Sequence, residues 1–318
     1  MMKTVFLNAQ KMDFDEKLDF SAVMQCGPME IYPSSENDEI IERVQSHNVV
    51  VTKEMPVGRE MIGRFPSCVK MICEAGTGYN NIDIAAAKDK GILVCNIPSY
   101  STDAVAQLAI TFVLALSSSL TKQQVMLKQK NYDNFYQFLG VPHSEVSGKT
   151  LGVIGTGHIG QRVIHSARAL GMNVLCYSRT KKEWDDPKVS SVRLESLLSK
   201  SDFVTIHCPL TKETTHLINR EKFALMKPSA FLINTSRGAV INETDLIEAL
   251  KNGVIAGAAL DVLEKEPPEK DNPLFSMEQV ILTPHIGWKC IETRQRLIDL
   301  IAENIQALIS GKPINVVN

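Results

Sequence analysis

The sequence has no large excess of charge of either sign and no long apolar run. Its 318 residues include 34 Lys and Arg against 36 Asp and Glu, a formal net charge of -2 at pH 7. This balance argues against nucleic acids and anionic membranes as partners, because both attract a strongly basic surface. The most apolar stretch, 105–116, is interrupted by Gln107 and Thr111 and is shorter than the roughly 18 to 20 residues that a membrane span needs. The chain start has neither a basic segment nor a small-residue cleavage site, so we predict a cytoplasmic protein without a secretory signal.

Cysteine pairing and metal-ligand spacing are missing as well. The seven cysteines are odd in number and contain no C-x-x-C pair, which favours buried thiols in a reducing compartment over disulfides. The seven histidines show no H-x-x-x-H spacing, and no metal site is predicted. His207 and Cys208 are adjacent, but neighbours on a strand point to opposite faces, so we do not expect a nucleophilic pair there.

Short β-branched runs alternate with helical segments along the chain, a pattern typical of parallel sheets. The length and the 44% hydrophobic content suit about two domains. One series of strands is predicted at 5–7, 30–32, 49–52, 69–73 and 92–95. A second series is predicted at 151–154, 174–177, 203–207, 231–234, 255–260 and 280–283. The second series has the strands that a doubly wound dinucleotide fold requires.

Three predicted helices complete this outline. One covers 82–90, with Asn81 as its cap and Gly91 at its end. A long apolar helix runs from about 101 to 119, and a polar connector follows over 128–148. The last helix covers 291–310 and carries a single apolar stripe.

The helix positions indicate how the chain is divided. A chain that leaves the first domain at Pro98 can return to it at Pro284, so the last helix is expected to pack on the first domain. We therefore predict an α/β protein with two doubly wound parallel-sheet domains. A Rossmann-type cofactor domain, 99–285, is inserted into a discontinuous, flavodoxin-like substrate domain formed by 1–98 and 286–318.

A glycine pattern directly follows the first strand of the second series. Gly155, Gly157 and Gly160 have the G-x-G-x-x-G spacing within 152–160. The first permits a tight turn, the second lets a pyrophosphate approach the main chain, and the third allows close helix–strand packing. A glycine-rich turn without a ligand is the alternative. The strand before the motif and the strand at 174–177 favour a dinucleotide site with phosphates at the helix start.

The residues after the second strand of this series bear on the choice between NAD and NADP. After the second strand, an NAD-binding segment usually carries Asp or Glu, which accepts both ribose hydroxyls. This chain has Ser178, Arg179 and Thr180 there. A carboxylate would repel a 2′-phosphate, whereas these residues can donate hydrogen bonds to it and pair with it. The alternative is a solvated basic loop with Lys181 and Lys182. We predict NADP or NAD, with NADP favoured.

Three polar residues stand just beyond predicted strand ends: Arg237, Glu266 and His285. Each alone could be a surface arginine, a solvated acid or a capping histidine, respectively. Because their strands are parallel, however, all three are expected at the same edge of the sheet. Reduction of a 2-oxo acid needs a cation for the carboxylate and carbonyl, which Arg237 can supply. It also needs a proton donor, and imidazole exchanges protons near neutral pH. A nearby Glu266 carboxylate would favour the protonated, imidazolium form of His285. Together the three residues predict a reductase site.

With these motifs the sequence resembles the D-isomer-specific 2-hydroxyacid dehydrogenase family over essentially its whole length. The motifs are G-T-G-Y-N-N-I-D at 76–83, N-I-P at 96–98, Y-S-T at 100–102, the glycine motif, H-C-P-L-T at 207–211, N-T-S-R-G at 234–238 and P-H-I-G at 284–287.

The resemblance implies roles for individual residues. Arg237 would bind the substrate, and His285, held by Glu266, would be the acid/base. The main-chain amides around Thr77 and Gly78 would hold the substrate carboxylate. Asp261 would lie near the nicotinamide carboxamide. The remaining cofactor contacts implied are His158, Ile159, Cys208, Pro209, Thr214 and Thr235.

Within the family the motifs look most like the glycerate dehydrogenase branch, whose enzymes interconvert D-glycerate and hydroxypyruvate and often reduce glyoxylate. The alternative is a dinucleotide-sensing binding protein of the corepressor type, which keeps similar catalytic residues. The lack of basic or disordered tails counts against it. The resemblance also implies a homodimer through the apolar helix at 101–119 and its connector, although burial of that helix within one chain stays open.

Overall fold

A computed structural model of the chain describes residues 2–180 and 182–318. Met1, at the chain start, and Lys181, in the basic loop, lie outside the described residues. Internal contacts divide the chain into two compact units. Unit 1 is Met1–Ser101 with Trp288–Asn318, and unit 2 is Thr102–Gly287. The predicted assignment of substrate and cofactor to separate domains stays a prediction.

Unit 1 contains a five-stranded parallel sheet in the order β2-β1-β3-β4-β5, which is the flavodoxin-like order. Its strands are β1 Thr4–Phe6, β2 Met29–Ile31, β3 Val49–Thr52, β4 Met71–Glu74 and β5 Leu93–Cys95. Its helices are α1 Ser21–Met24, α2 Asn37–Arg43, α3 Arg59–Arg64, α4 Ile84–Asp89 and, from the end of the chain, α12 Ile291–Ile309.

The last helix completes the core of unit 1. All four residues of β3 and all four of β4 are buried, as expected for central strands covered on both faces. From α12, Leu297, Ile301 and Ile305 are at most 1% exposed and join this core. The prediction that the last helix packs on the first part of the chain is therefore confirmed.

The start of α4 differs from the prediction. Asp83, and not Asn81, caps this helix, because the Asp83 side chain accepts a hydrogen bond from the amide of Ala86. Asn81 instead donates to the carboxylate of Glu74 at 2.9 Å and to the carbonyl of Met55 at 2.7 Å. Gly91 follows the helix with φ +73°, the left-handed conformation that commonly ends helices.

Unit 2 contains a seven-stranded parallel sheet in the order β12-β11-β10-β9-β6-β7-β8. Its strands are β6 Thr150–Ile154, β7 Asn173–Tyr177, β8 Val189–Ser191, β9 Phe203–Ile206, β10 Phe231–Asn234, β11 Gly257–Leu260 and β12 Val280–Leu282. Its helices are α5 Thr102–Ser117, α6 Leu120–Lys128, α7 Asp133–Tyr136, α8 His158–Ala169, α9 Leu194–Lys200, α10 Arg220–Phe223 and α11 Glu243–Lys251.

The edge strand β8 was missed, and the prediction of six strands for this sheet was wrong. Val189–Ser191 is three residues long, and only Val189 is buried. Such a segment has neither the length nor the alternation that marks a strand in a sequence. The connector predicted over 128–148 likewise contains the short helix α7.

Helix α5 lies against the sheet of unit 2. Seven of its 16 residues are buried, among them Val105, Phe112 and Val113. One face of α5 is therefore covered within the chain, and the predicted dimer contact through this helix stays a prediction. In the described part of the chain no single helix is long and apolar enough to cross a membrane; α5 and α6 reach that only together, with a bend of 63° between them.

Both sheets are parallel and have helices in their crossovers, which confirms the predicted α/β fold class. In unit 2 the carboxyl ends of β6, β10, β11 and β12 meet at one edge of the sheet. The glycine turn, Arg237, Glu266 and His285 follow these strands in the chain. Ligands of open α/β sheets bind at this edge.

Candidate active site

His285 follows β12, and its imidazole contacts a carboxylate. Its Nδ1 lies 2.8 Å from Oε2 of Glu266. The main-chain amide of Leu263 donates to the other oxygen, Oε1, at 3.1 Å. With Glu266 ionised, Nδ1 is the donor, which leaves Nε2 of His285 for proton exchange with a ligand. The structure thus brings together two of the three predicted catalytic residues.

The turn that carries His285 is held by Asp261, which is 2% exposed. Oδ1 of Asp261 accepts from Thr283 Oγ1 at 2.6 Å and from the amide of Ile286 at 2.8 Å, and Oδ2 accepts from the amide of Gly287 at 2.9 Å. The Asp261 carbonyl accepts the amide of His285 at 2.8 Å. Asp261 was predicted beside the nicotinamide; here its carboxylate fixes the main chain around His285.

Arg237 lies in the turn after β10, and the buried side chain of Asn234 shapes this turn. Asn234 Nδ2 donates to the carbonyl of Arg237 at 2.9 Å, and its Oδ1 accepts from the amide and hydroxyl of Ser236. Among the described residues the Arg237 guanidinium has no carboxylate within 4.0 Å and no hydrogen bond to Glu266 or His285. Its exposed charge is therefore available to an anionic ligand.

The glycine turn has the geometry that its spacing predicts. Gly155 has φ +96°, and a Cβ there would lie 2.6 Å from the amide nitrogen of Cys208. A Cβ on Gly160 would lie 2.0 Å from the carbonyl oxygen of Gly155, so α8 packs directly on the turn. A Cβ on Gly157 would meet open space. The main chain at Gly157 can therefore be approached by a ligand at the start of α8.

A cavity of about 360 Å³ adjoins this turn. Its lining includes most of the predicted cofactor residues: Gly155, Gly157, Ser178, Arg179, Thr180, Cys208, Pro209 and Thr214. The other predicted cofactor residues do not line it: His158, Ile159, Gly160, Thr235 and Asp261. The helix start after the glycine-rich turn carries no acidic residue, which suits a dinucleotide phosphate. The adjoining cavity suits the nucleoside.

The side chains after β7 form a hydrogen-bonded row at this cavity. Ser178 Oγ accepts from Thr156 Oγ1 at 3.0 Å and donates to the carbonyl of Thr180 at 2.6 Å. Lys182, which was placed only in the alternative of a solvated loop, lines the cavity, and its Nζ donates to the carbonyl of Thr156 at 2.8 Å. Sequence spacing could not reveal this contact, which depends on the fold of the turn.

An acidic residue also lines the cavity and was missed. Glu213 accepts a hydrogen bond from Thr211 Oγ1 at 2.7 Å. This bond, with a further contribution from the positive charge of Arg179, holds the pKa of Glu213 below its ordinary value. The cavity therefore carries charges of both signs.

His207 and Cys208 do not form a reactive pair. The His207 ring lies between two hydroxyls, with Nε2 at 2.9 Å from Thr205 Oγ1 and Nδ1 at 3.5 Å from Thr235 Oγ1. Burial lowers the pKa of His207 to about 3, so the ring is neutral at physiological pH. Burial raises the pKa of the Cys208 thiol to about 11, which leaves it protonated.

Thr77 and Gly78 lie in unit 1, in the loop after β4. Thr77 Oγ1 donates to the carbonyl of Ile97 at 3.0 Å, and Asn96 Nδ2 donates to the carbonyl of Thr77 at 2.8 Å. These bonds use side chains and carbonyls, so they leave the two main-chain amides of the loop for a ligand. The base of the loop is the fully buried Glu74, whose pKa is raised by burial.

In the described residues no group of three or more His, Cys, Asp or Glu side chains could hold a metal ion. All seven cysteines are free.

Comparisons with known proteins identify the family of the chain. Residues 110–287 match the family described as "D-isomer specific 2-hydroxyacid dehydrogenase, NAD binding domain". The chain is 37% identical to a hydroxypyruvate reductase of Blautia hydrogenotrophica, over 95% of each chain. It is 40% identical to a glyoxylate reductase of Thermococcus litoralis, over 88% of this chain and 86% of the relative.

A solved structure described as an acyclic imino acid reductase in complex with NADPH and D-Arg superposes with a TM-score of 0.89 and 30% identity, over the whole of both chains. The matches confirm the family that the motifs indicated, and cofactor binding of the NAD(P) type with it. The chain belongs to the D-isomer-specific 2-hydroxyacid dehydrogenase family of NAD-dependent oxidoreductases.

Proposed function

We propose that the chain is a glycerate dehydrogenase that works as a hydroxypyruvate and glyoxylate reductase, with His285 as its acid/base. The observation that carries this proposal is the 2.8 Å contact between His285 and Glu266, at the sheet edge where Arg237 also emerges. The names of the relatives from Blautia hydrogenotrophica and Thermococcus litoralis support the substrate class.

Each residue has a task in the reduction. Arg237 binds the substrate carboxylate and draws electron density from the carbonyl. The cavity lined by Gly155, Gly157 and Ser178 would hold NAD(P)H, which when bound would provide the hydride for the carbonyl carbon. His285 donates its Nε2 proton to the oxygen as negative charge develops there, and Glu266 stabilises the imidazolium that is needed for this. The substrate contact that the family resemblance implies for the amides of Thr77 and Gly78 stays a prediction.

The cofactor preference belongs to the same proposal. We expect NADPH to be preferred over NADH, because this chain has Ser178, Arg179 and Thr180 at the position where NAD-binding proteins usually have a carboxylate. Such a carboxylate would repel the 2′-phosphate of NADPH. Lys182 adds a second positive charge at the same cavity. Glu213 acts against this preference, since its charge has the sign of the phosphate.

The assay is oxidation of NADPH or NADH, followed by absorbance, with hydroxypyruvate, glyoxylate and pyruvate as substrates. We expect the highest kcat/KM with hydroxypyruvate. Preference for pyruvate would contradict the substrate class. Tight cofactor binding without turnover of any 2-oxo acid would instead indicate the dinucleotide-sensing alternative.

We also propose a homodimer. The segment 120–139 exposes seven large apolar side chains, and clustered exposure of this kind is typical of an interaction surface. They are Leu120, Val125, Tyr132, Phe135, Tyr136, Phe138 and Leu139, and Tyr136 is 84% exposed. A second copy of the chain is the occupant that we expect. A cytoplasmic location stays a prediction.

A further inference from the structure

Unit 2 contains a second histidine–carboxylate pair beside the proposed active site. Nε2 of His216 lies 2.7 Å from Oε1 of Glu264, and Glu264 precedes Glu266 by two residues. Neither residue was singled out in the sequence, and neither has a place in the mechanism proposed above.

Glu264 is bound through both its main chain and its side chain to the start of α11. Its Oε2 accepts from the amide of Glu243 at 3.0 Å, and its own amide donates to Glu243 Oε2 at 3.0 Å. Asn272 Nδ2 in turn donates to Glu243 Oε1 at 2.7 Å. The arrangement holds two carboxylates near each other, which costs electrostatic free energy. The donors from His216, Asn272 and the helix start offset that cost.

His216 links the same pair to the segment that carries Arg237. The amide of His216 donates to the carbonyl of Ala239 at 2.8 Å, two residues after Arg237. A Cβ on Gly238 would lie 1.9 Å from the carbonyl oxygen of Leu263, so the main chains on either side are in direct contact. The pair therefore connects the segment 263–266, which carries Glu266, to the segment 237–239, which carries Arg237.

The direction of the Glu266 carboxylate depends on this segment. The amide of Leu263 holds Oε1 at 3.1 Å, which turns Oε2 towards His285. A shift of Leu263 moves both the donor and the carboxylate. Displacements of about 1 Å in a reacting group can cost up to about 100-fold in rate.

We propose that Glu264, held by His216 and Glu243, is a positioning residue that directs Glu266 towards His285. It also fixes the position of the Arg237 segment relative to the Glu266 segment. The proposal rests on the proposed function, since it needs His285 to be the acid/base. Glu264 touches no reacting atom in this scheme; it acts through the segment 263–266.

The test compares Glu264→Ala with Glu269→Ala. Glu269 is an exposed acid nearby that pairs only with Lys265 among the described residues, so its loss removes a similar charge without the tether. For Glu264→Ala we expect kcat for hydroxypyruvate to fall about 10- to 100-fold per folded enzyme. The cofactor Kd should stay within about twofold, because the cofactor cavity is lined by other residues.

The pH profile separates positioning from simple stabilisation. Reduction needs protonated His285, and a misdirected Glu266 stabilises the imidazolium less. The alkaline limb of kcat/KM should therefore move to lower pH in Glu264→Ala and stay in place in Glu269→Ala. A lower Tm with an unchanged pH profile and unchanged kcat per folded enzyme would overturn the proposal.

Two variants of His216 add a rescue. His216→Ala should reduce kcat, and His216→Gln should restore most of it, because the Gln amide can donate to Glu264 in place of the ring. Equal effects of the two variants would count against the tether. If Glu264→Ala does not fold, Glu264→Gln replaces it; Gln keeps one of the two acceptor oxygens, so we expect the same direction with a smaller fall in kcat.

Glu266→Gln distinguishes the failure of this proposal from that of the proposed function. If Glu266→Gln leaves the pH profile unchanged, the assigned roles of Glu266 and His285 are wrong. If Glu266→Gln moves the profile and Glu264→Ala does not, only the positioning role of Glu264 is wrong.

Discussion

His285 has a main-chain conformation that residues other than glycine rarely adopt, with φ +51°. The left-handed region costs an L residue about 1 to 2 kcal/mol. The Asp261 carboxylate, by accepting three hydrogen bonds from residues 283–287, together with its carbonyl on the His285 amide, offsets that cost. The imidazole is therefore set by a local network as well as by Glu266.

Removal of the imidazole tests the proposed acid/base directly. His285→Ala should lower kcat for hydroxypyruvate by about 10²- to 10⁴-fold, the usual contribution of a positioned proton donor. The cofactor Kd, measured by fluorescence titration, should change little because the cavity lies elsewhere on the sheet edge. His165→Ala, an exposed histidine on α8, is the control. Unchanged turnover in His285→Ala would remove His285 from the mechanism.

Ser178 tests the cofactor preference. In Ser178→Asp a new carboxylate would repel a 2′-phosphate, and like charges about 4 Å apart near a protein surface repel by about 4 kcal/mol. We expect the ratio of kcat/KM for NADPH over NADH to fall by more than about tenfold. Ser178→Ala keeps the site uncharged and should shift the ratio much less. If the Asp variant keeps the wild-type ratio, these residues do not select the cofactor.

At this scale the sequence reveals side chains whose chemistry is local and misses those whose role depends on the fold. Glycine spacing and the chemistry of Arg237, Glu266 and His285 can be recognised along the chain. The bond from Lys182 to Thr156 and the reciprocal bonds of Glu264 and Glu243 join residues that are distant in sequence. No periodicity predicts such contacts, because they follow from how the loops are folded.

Among the elements, strand interiors were predicted well because buried parallel strands are continuous apolar runs. The edge strand β8 carries no such run, and only its contact with β7 identifies it. At the start of α4, both Asn81 and Asp83 are good capping residues. The buried carboxylate of Glu74 decides between them, because it accepts from Asn81 and so leaves Asp83 as the cap.

The junction of β6, the glycine turn and α8 allows a paired test. Gly160→Ala places a Cβ 2.0 Å from the Gly155 carbonyl, so α8 must shift, and we expect a loss of about 1 to 3 kcal/mol in the free energy of unfolding. Gly157→Ala meets open space and should leave that free energy nearly unchanged.

Both glycine variants should bind the cofactor more weakly, for different reasons. In Gly160→Ala the helix start is displaced, and in Gly157→Ala the new methyl group occupies the approach to the phosphates. Thermal unfolding and cofactor titration of both variants measure the two effects separately. Wild-type cofactor affinity in Gly157→Ala would place the pyrophosphate elsewhere.

For the whole molecule, the net charge and the exposed apolar side chains lead to different expectations about association. The near balance of charge gives no long-range attraction for a polyanion. The apolar side chains of 120–139 are nevertheless exposed in the single chain, although the composition gave no sign of a surface patch. Burial in a dimer would account for them, because association through an apolar patch needs no net charge.

The dimer prediction can be tested by mass. The wild-type protein should sediment with twice the chain mass of 35.2 kDa. The double variant Phe135→Asp with Phe138→Asp should sediment as a single chain, because these side chains are 71% and 76% exposed and a charge buried at an interface is costly. Phe275→Asp alters an exposed Phe outside this segment and should keep the wild-type mass. A dimeric double variant would place the interface on another surface, and a wild-type protein of single-chain mass would contradict the homodimer altogether.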